Sequence, residues 1–123
     1  MKFCWVTVAV GDMEVSLGFY KDVLGLPLER RMRPGPDMDI AFLGAGETKV
    51  ELIWSAGRKN QGFGTDISLG FEVPSLDVAM EELKRKGVAI ASGPFQPNPT
   101  IRFFYVLDPD GLRIQLVENV RPA

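Results

Sequence analysis

The chain of 123 residues contains no histidine. That single absence removes imidazole metal sites, catalytic triads and histidine general bases together. A zinc site would have to be made from carboxylates and one thiol, a poor donor set for that ion. Cysteine is nearly missing as well. Cys4 stands alone, so no internal disulfide can form, and its place on the valine-rich face of the first strand marks a buried small hydrophobe rather than a reactive thiol. Positive charge is not in excess: 14 Lys and Arg stand against 16 Asp and Glu, a net charge of −2. A nucleic-acid partner needs a basic surface, so this balance argues against nucleic acid as the main partner. No apolar run approaches the roughly 20 residues of a membrane span, and the few apolar residues before Gly11-Asp12 are too short for a signal peptide. The expectation is a cytoplasmic protein with neither membrane nor nucleic acid as partner.

The remaining composition, 46% hydrophobic and 24% charged, is that of a globular domain able to bury a core without staples. Residues 3–10 alternate as a strand does, with Cys4, Val6, Val8 and Val10 on one face and Phe3, Trp5, Thr7 and Ala9 on the other. Asp12 follows as a helix N-cap, and Glu14 lies in the first turn, where a carboxylate suits the helix dipole. Met13, Leu17, Tyr20 and Leu24 recur at helical spacing, and Gly25 stands where a left-handed C-terminal residue is needed. Residues 28–33 form an exposed strand stopped by Pro34-Gly35-Pro36, its Arg30, Arg31 and Arg33 a charged edge that discourages aggregation or, in the second reading, a grip for an anionic ligand. Strands follow at 39–45 and 49–55; in the latter Lys49, Glu51 and Ile53 oppose Val50, Leu52 and Trp54. Residues 57–65, polar and glycine-containing, make a linker.

The pattern then starts again. In a strand at 66–73, Ile67, Leu69, Phe71 and Val73 share one face and Ser68, Gly70 and Glu72 the other. Ser75 caps a helix striped by Leu76, Ala79, Met80 and Leu83, which ends in Lys84-Arg85-Lys86-Gly87. A short strand from Val88, a proline-rich loop at 93–99 (connector or lid), a strand at 100–107, the turn Asp108-Pro109-Asp110-Gly111 and a last strand at 112–117 complete it. Val10-Gly11-Asp12-Met13 matches Val73-Pro74-Ser75-Leu76, Gly25 matches Gly87, and Glu51 matches Gln115, all at a near-constant separation. One β-α-β-β-β unit is used twice. The expected fold is α+β, a single domain over 1–123 with module 1 at about 1–56 and module 2 at about 66–120.

Val10, Asp12, Ser16, Phe19-Tyr20 and Leu24-Gly25, the VEL strand from Val50 to Leu52, the FEV-x-x-LD segment from Phe71 to Asp77 and the DPDG turn resemble the vicinal oxygen chelate superfamily. That superfamily contains glyoxalases, bleomycin-resistance proteins and extradiol dioxygenases, and the resemblance covers essentially the whole chain. It implies that each module curls into half of a cup, a concave mixed sheet with helices outside. It also implies a homodimer, with modules pairing within or between chains. In the enzymes a divalent metal sits in the cup, held by histidines on the first strand of each module and glutamates on the fourth. Those places fall here on Trp5, Glu51, Ser68 and Gln115. Only Glu51 is a ligand type of the enzymes, so the resemblance implies a member without the histidine ligands, with no metal and no cofactor.

Each candidate residue has two readings. Trp5 is a core aromatic or a flat stacking platform in the cup. Glu51 is salt-bridged to Lys49 or an arginine, or it is a general base or hydrogen-bond acceptor for a ligand. Ser68 and Gln115 can orient a ligand, but no histidine exists to make Ser68 a nucleophile. Thr7 shares the face of Trp5, and Arg113 that of Gln115. Parity leaves Phe103 and Phe104 as alternatives for the inward face of their strand. The expected ligand-binding set is Trp5, Thr7, Glu51, Ser68, Phe104, Arg113 and Gln115, with Glu51 as catalytic candidate. Three functions follow. The first is a metal-independent protein holding an aromatic or amphipathic small molecule in the cup. The second is a glyoxalase-type lyase or isomerase using Glu51 as base or a weakly held divalent ion. The third is a degenerate structural or regulatory dimer domain. The absence of histidine favours the first over the second.

Overall fold

The chain divides into two units, Met1–Gln61 and Gly62–Ala123. The computed structural model describes residues 1–59 and 62–120 of it, so positions 60 and 61 of the linker and 121–123 of the domain lie outside the described residues.

The first unit runs β1 (Trp5–Ala9), α1 (Met13–Leu17), a π-helical turn (Gly18–Val23), β2 (Leu28–Gly35), β3 (Met38–Leu43) and β4 (Lys49–Ser55). Its sheet has the order β1-β4-β3-β2, with β1 parallel to β4 and the other pairs antiparallel. Asp12 caps α1, its carboxylate accepting from the Val15 N–H at 3.0 Å. The helix does not keep one period: the Leu24 N–H reaches back to the Phe19 carbonyl at 2.9 Å, a five-residue step. That widening brings Phe19 inward beside Met13, Leu17 and Tyr20, where the 3.6-residue stripe includes only the last three. α1 packs on β4. Val8, Val10, Ala41, Leu43, Val50 and Leu52 are buried and form this unit's core together with those helix residues.

Two expectations are corrected here. Cys4 is exposed, because it precedes β1 and has no layer over it. β2 continues through Pro34 to Gly35 instead of stopping at Arg33. An edge strand needs no N–H on its outer side, so proline fits there, and the pairing slips between Met32 and Gly35.

The second unit repeats the plan with β5 (Ser68–Glu72), α2 (Leu76–Arg85), β6 (Ser92–Asn98), β7 (Ile101–Leu107) and β8 (Arg113–Asn119). Its order is β5-β8-β7-β6, with β5 parallel to β8. Ser75 caps α2 through the Val78 N–H at 3.3 Å, and α2 packs on β8. Among the described residues no strand begins at Val88. The stretch expected as a loop or lid, 93–99, is instead most of β6, hydrogen-bonded antiparallel to β7. β6 is again an edge strand, which tolerates Pro94 and Pro97. Gly93 is required where it starts: its φ is +101°, and an added Cβ would lie 3.1 Å from the Phe104 Cα. The 108–111 turn is built around buried Asp108, whose carboxylate accepts from the N–H groups of Asp110 at 2.9 Å and Leu112 at 2.8 Å. No helix among the described residues is long and apolar enough to cross a membrane.

Candidate functional site

Each sheet carries its helix on one face and presents candidate residues on the other. In the first unit that second face holds Trp5, Thr7, Phe42, Lys49 and Glu51, placed by the register Trp5↔Lys49, Thr7↔Glu51 and Phe42↔Glu51. Glu51 is only 9% exposed. The Thr7 hydroxyl donates to its Oε1 at 2.6 Å, so the carboxylate is fixed by a neighbour across a parallel pair. Lys49 turns elsewhere: its ammonium pairs with Glu29 at 2.8 Å and donates to the Gly44 carbonyl at 2.7 Å. The Lys49 bond to Glu29 holds the Glu29 carboxyl below its ordinary range. Phe42 is covered, with Trp5 edge-on at 5.4 Å and the Arg30 guanidinium 4.4 Å above its ring centre. Trp5 itself is 47% exposed, too open for a core aromatic.

In the second unit the corresponding register is Ser68↔Arg113, Gly70↔Gln115 and Tyr105↔Gln115. Gly70 stands where Thr7 stands in the first unit. It leaves room: an added Cβ would lie 3.2 Å from the Gln115 amide oxygen. The Gln115 amide N–H donates to the Tyr105 hydroxyl at 3.3 Å. Arg113 lies over the Tyr105 ring, 4.2 Å from its centre, and donates to the Thr65 carbonyl at 3.2 Å. Phe95, Phe103 and Tyr105 form a mutual aromatic cluster with ring centres 5.5 to 6.4 Å apart. A cavity of about 520 Å³ opens against them, bounded by Phe95, Gln96, Pro97, Phe103, Tyr105 and Arg113. Ser68 is exposed at the sheet edge.

Phe104 is a correction. It is fully buried and paired with Leu116 on the helix face, not on the open face of the sheet. Phe103 and Tyr105 take the open face instead, joined by Phe95 from β6. The signal for this lies in the turn. Counting outwards from it pairs Leu107 with Arg113 and Tyr105 with Gln115, which puts the odd-numbered residues of β7 beside Gln115. Phe95 has no such signal, since nothing in a run of Gly and Pro announces a paired strand.

A further charged cluster lies by the helix of the first unit. Arg31 donates to both oxygens of buried Asp39, at 3.1 and 2.7 Å, and to Glu14 of α1 at 2.7 Å; Arg33 adds a contact to Asp39 at 3.4 Å. Arg31 holds the Asp39 carboxyl below its ordinary value and is itself pushed further up. The arginine expected as mere edge charge thus ties α1 to the sheet.

The donors do not fit the divalent ion that the resemblance implies for the enzymes. Glu51 is the lone carboxylate at the four ligand places, and one of its oxygens already accepts from Thr7. Gln115 and Ser68 offer only neutral oxygens, and Trp5 offers none. Among the described residues no group of three or more His, Cys, Asp or Glu side chains converges to hold a metal.

Residues 2–116 match the family model of the Glyoxalase/Bleomycin resistance protein/Dioxygenase superfamily. The chain belongs to that superfamily. Its curated relatives include a lactoylglutathione lyase from Neisseria meningitidis, 34% identical over 128 residues, which span 97% of this chain and 91% of that protein. Another, from Salmonella typhimurium, is 32% identical over 126 residues, covering 96% and 93%. Among solved structures, a glyoxalase I mutant from Zea mays gives a TM-score of 0.83 at 23% identity, over 97% of this chain and 47% of the maize chain. An antibiotic binding protein from Streptomyces sp. CB03234 gives 0.77 at 24% identity, over 97% and 96%. At those identities the structures establish a shared glyoxalase-type fold.

Proposed function

We propose that this superfamily member is a metal-independent small-molecule-binding protein whose aromatic or amphipathic ligand lies on the open sheet face of the second module. The observation that carries the reading is the aromatic-walled cavity of about 520 Å³ at Phe95, Phe103 and Tyr105, within the range of about 300–1,000 Å³ typical of small-molecule sites. Gln115 and Ser68 do not border that cavity; in this reading the Gln115 amide, held by its bond to Tyr105, and the exposed Ser68 hydroxyl orient the ligand from beside it. In the first module Trp5, Thr7 and Glu51 supply a second set of ligand contacts, a flat indole beside an oriented carboxylate. A homodimer in the cytoplasm belongs to this reading and is checked by light scattering after gel filtration. Elemental analysis of purified protein, with Ni²⁺, Zn²⁺ and Mn²⁺ titration, tests the metal-free part. The expected result is no tight stoichiometric metal; a tight equivalent of any of the three overturns it.

The 32–34% identity to lactoylglutathione lyases supports a second reading, a glyoxalase-type lyase with Glu51 as general base. Near-burial of Glu51 and its bond from Thr7 give a base that is oriented before a substrate arrives. Lactoylglutathione lyase activity lost on Glu51→Gln favours the lyase. Absence of activity in the unaltered protein, with and without added metal, favours the binding protein.

A further inference from the structure

The cations of the strands divide into those that have acidic partners and those that do not. Arg31 and Arg33 meet Asp39, Lys49 meets Glu29, and Arg102 meets Asp77. Arg30 has Glu29 and Glu47 bordering the same small cavity. Arg113 differs from all of them. Among the described residues it has no carboxylate partner, and no acidic side chain borders the cavity into which it is set. It is half-buried, and the other walls are Phe95, Pro97, Phe103, Tyr105 and the amide of Gln96.

We propose that this cavity selects a planar aromatic carboxylate, a proposal that rests on the binding reading above and names its ligand class. The guanidinium lies over the Tyr105 ring at 4.2 Å. The ring face beneath the guanidinium carbon takes no conventional hydrogen bond from it, so contact with Tyr105 does not use up its N–H donors. One nitrogen donates to the Thr65 carbonyl at 3.2 Å, which steers the group without consuming its fork. The remaining donors match the two oxygens of a carboxylate. Stacking and the Thr65 bond also hold the side chain in place before the ligand arrives, which removes part of the ordering cost of binding. The aromatic walls act in the same direction, because a ring seated against Phe95 and Phe103 displaces water and strengthens the attraction between the charges. A neutral ring of the same shape fits those walls equally. A carboxamide on that ring offers Arg113 one neutral acceptor, its carbonyl, in place of two charged oxygens, and that difference is the basis of selection.

The test is a calorimetric titration of the full chain with naphthalene-2-carboxylate and, separately, naphthalene-2-carboxamide, a pair matched in ring and size. The expected result is at least tenfold tighter binding of the carboxylate, a ratio that falls toward one in Arg113→Gln and is partly kept in Arg113→Lys. Comparing the two ligands on the unaltered protein needs no variant to fold. Equal affinities, or a ratio that survives Arg113→Gln, overturn the carboxylate assignment while leaving a binding protein. Failure of both compounds to bind overturns the binding reading at this face and the assignment with it.

Discussion

Glu51 in the first module and Gln115 in the second hold the same place in the same strand order, yet their surroundings are built by opposite means. Glu51 is gripped from its parallel neighbour by Thr7. Gln115 has glycine on that side and gives its hydrogen bond to the antiparallel neighbour, Tyr105. The rings at the matching positions, Phe42 and Tyr105, each carry an arginine, but Phe42 is also closed over by Trp5, whereas Tyr105 joins Phe95 and Phe103 around open space. The helices are tied down in parallel fashion. Glu14 and Asp77, both in the first turn of their helix, each meet an arginine of the sheet. In the first module that arginine also neutralises buried Asp39; in the second, Arg102 itself stands at the position of Asp39. The two units share the frame and its anchors. The open faces have diverged, one toward satisfied charge and the other toward an aromatic cavity with a spare cation.

Breaking the core of the second module should have the largest effect. Phe104→Ala opens a cavity under α2 and should cost about 3–5 kcal/mol in urea unfolding. Phe103→Ala, on the open face of the same strand, should cost markedly less while weakening aromatic ligands. Next is the buried anchor of the first module. Asp39→Asn leaves Arg31 without its main partner and should cost about 2 kcal/mol at pH 7. The sign with pH follows from the depressed Asp39 carboxyl: its stabilisation is fully present above the ordinary value of 3.8 and is lost as pH falls through the lower folded value. The unaltered protein should therefore lose stability more steeply below about pH 4 than Asp39→Asn does. Thr7→Val, which strips the donor from Glu51, should cost about 1 kcal/mol. Arg102→Gln should change stability least, by about 0.5 kcal/mol, because its partner Asp77 is largely exposed. Equal losses from Asp39→Asn and Arg102→Gln would erase the distinction between buried and exposed anchors.

Much of the frame is written in short-range chemistry. Asp12 and Ser75 announce their helices, Gly25 and Gly87 end them with φ of 76° and 79°, and the 108–111 turn fixes a hairpin. Those signals are local, so they are legible without the fold. Where the sequence misleads, a longer-range effect decides. Cys4 alternates correctly with Val6 and Val8 but has no layer over it. Pro34, Pro94 and Pro97 read as breakers and sit in edge strands, because position in the sheet rather than residue type decides whether a missing N–H matters. The candidate site divides the same way. Glu51, Arg113 and Gln115 follow from alternation, whereas the aromatic wall depends on the pairing of β6 with β7, which no local pattern encodes.

In the proposed reading the open face of the second module holds its ligand without metal. An amide NMR titration of the chelator-treated chain with naphthalene-2-carboxylate is the test. Saturable shifts concentrated at Phe95, Gln96, Phe103, Tyr105 and Arg113 are expected. Shifts confined to residues around Trp5 and Glu51, or binding that appears only when Ni²⁺ or Zn²⁺ is restored, would contradict it.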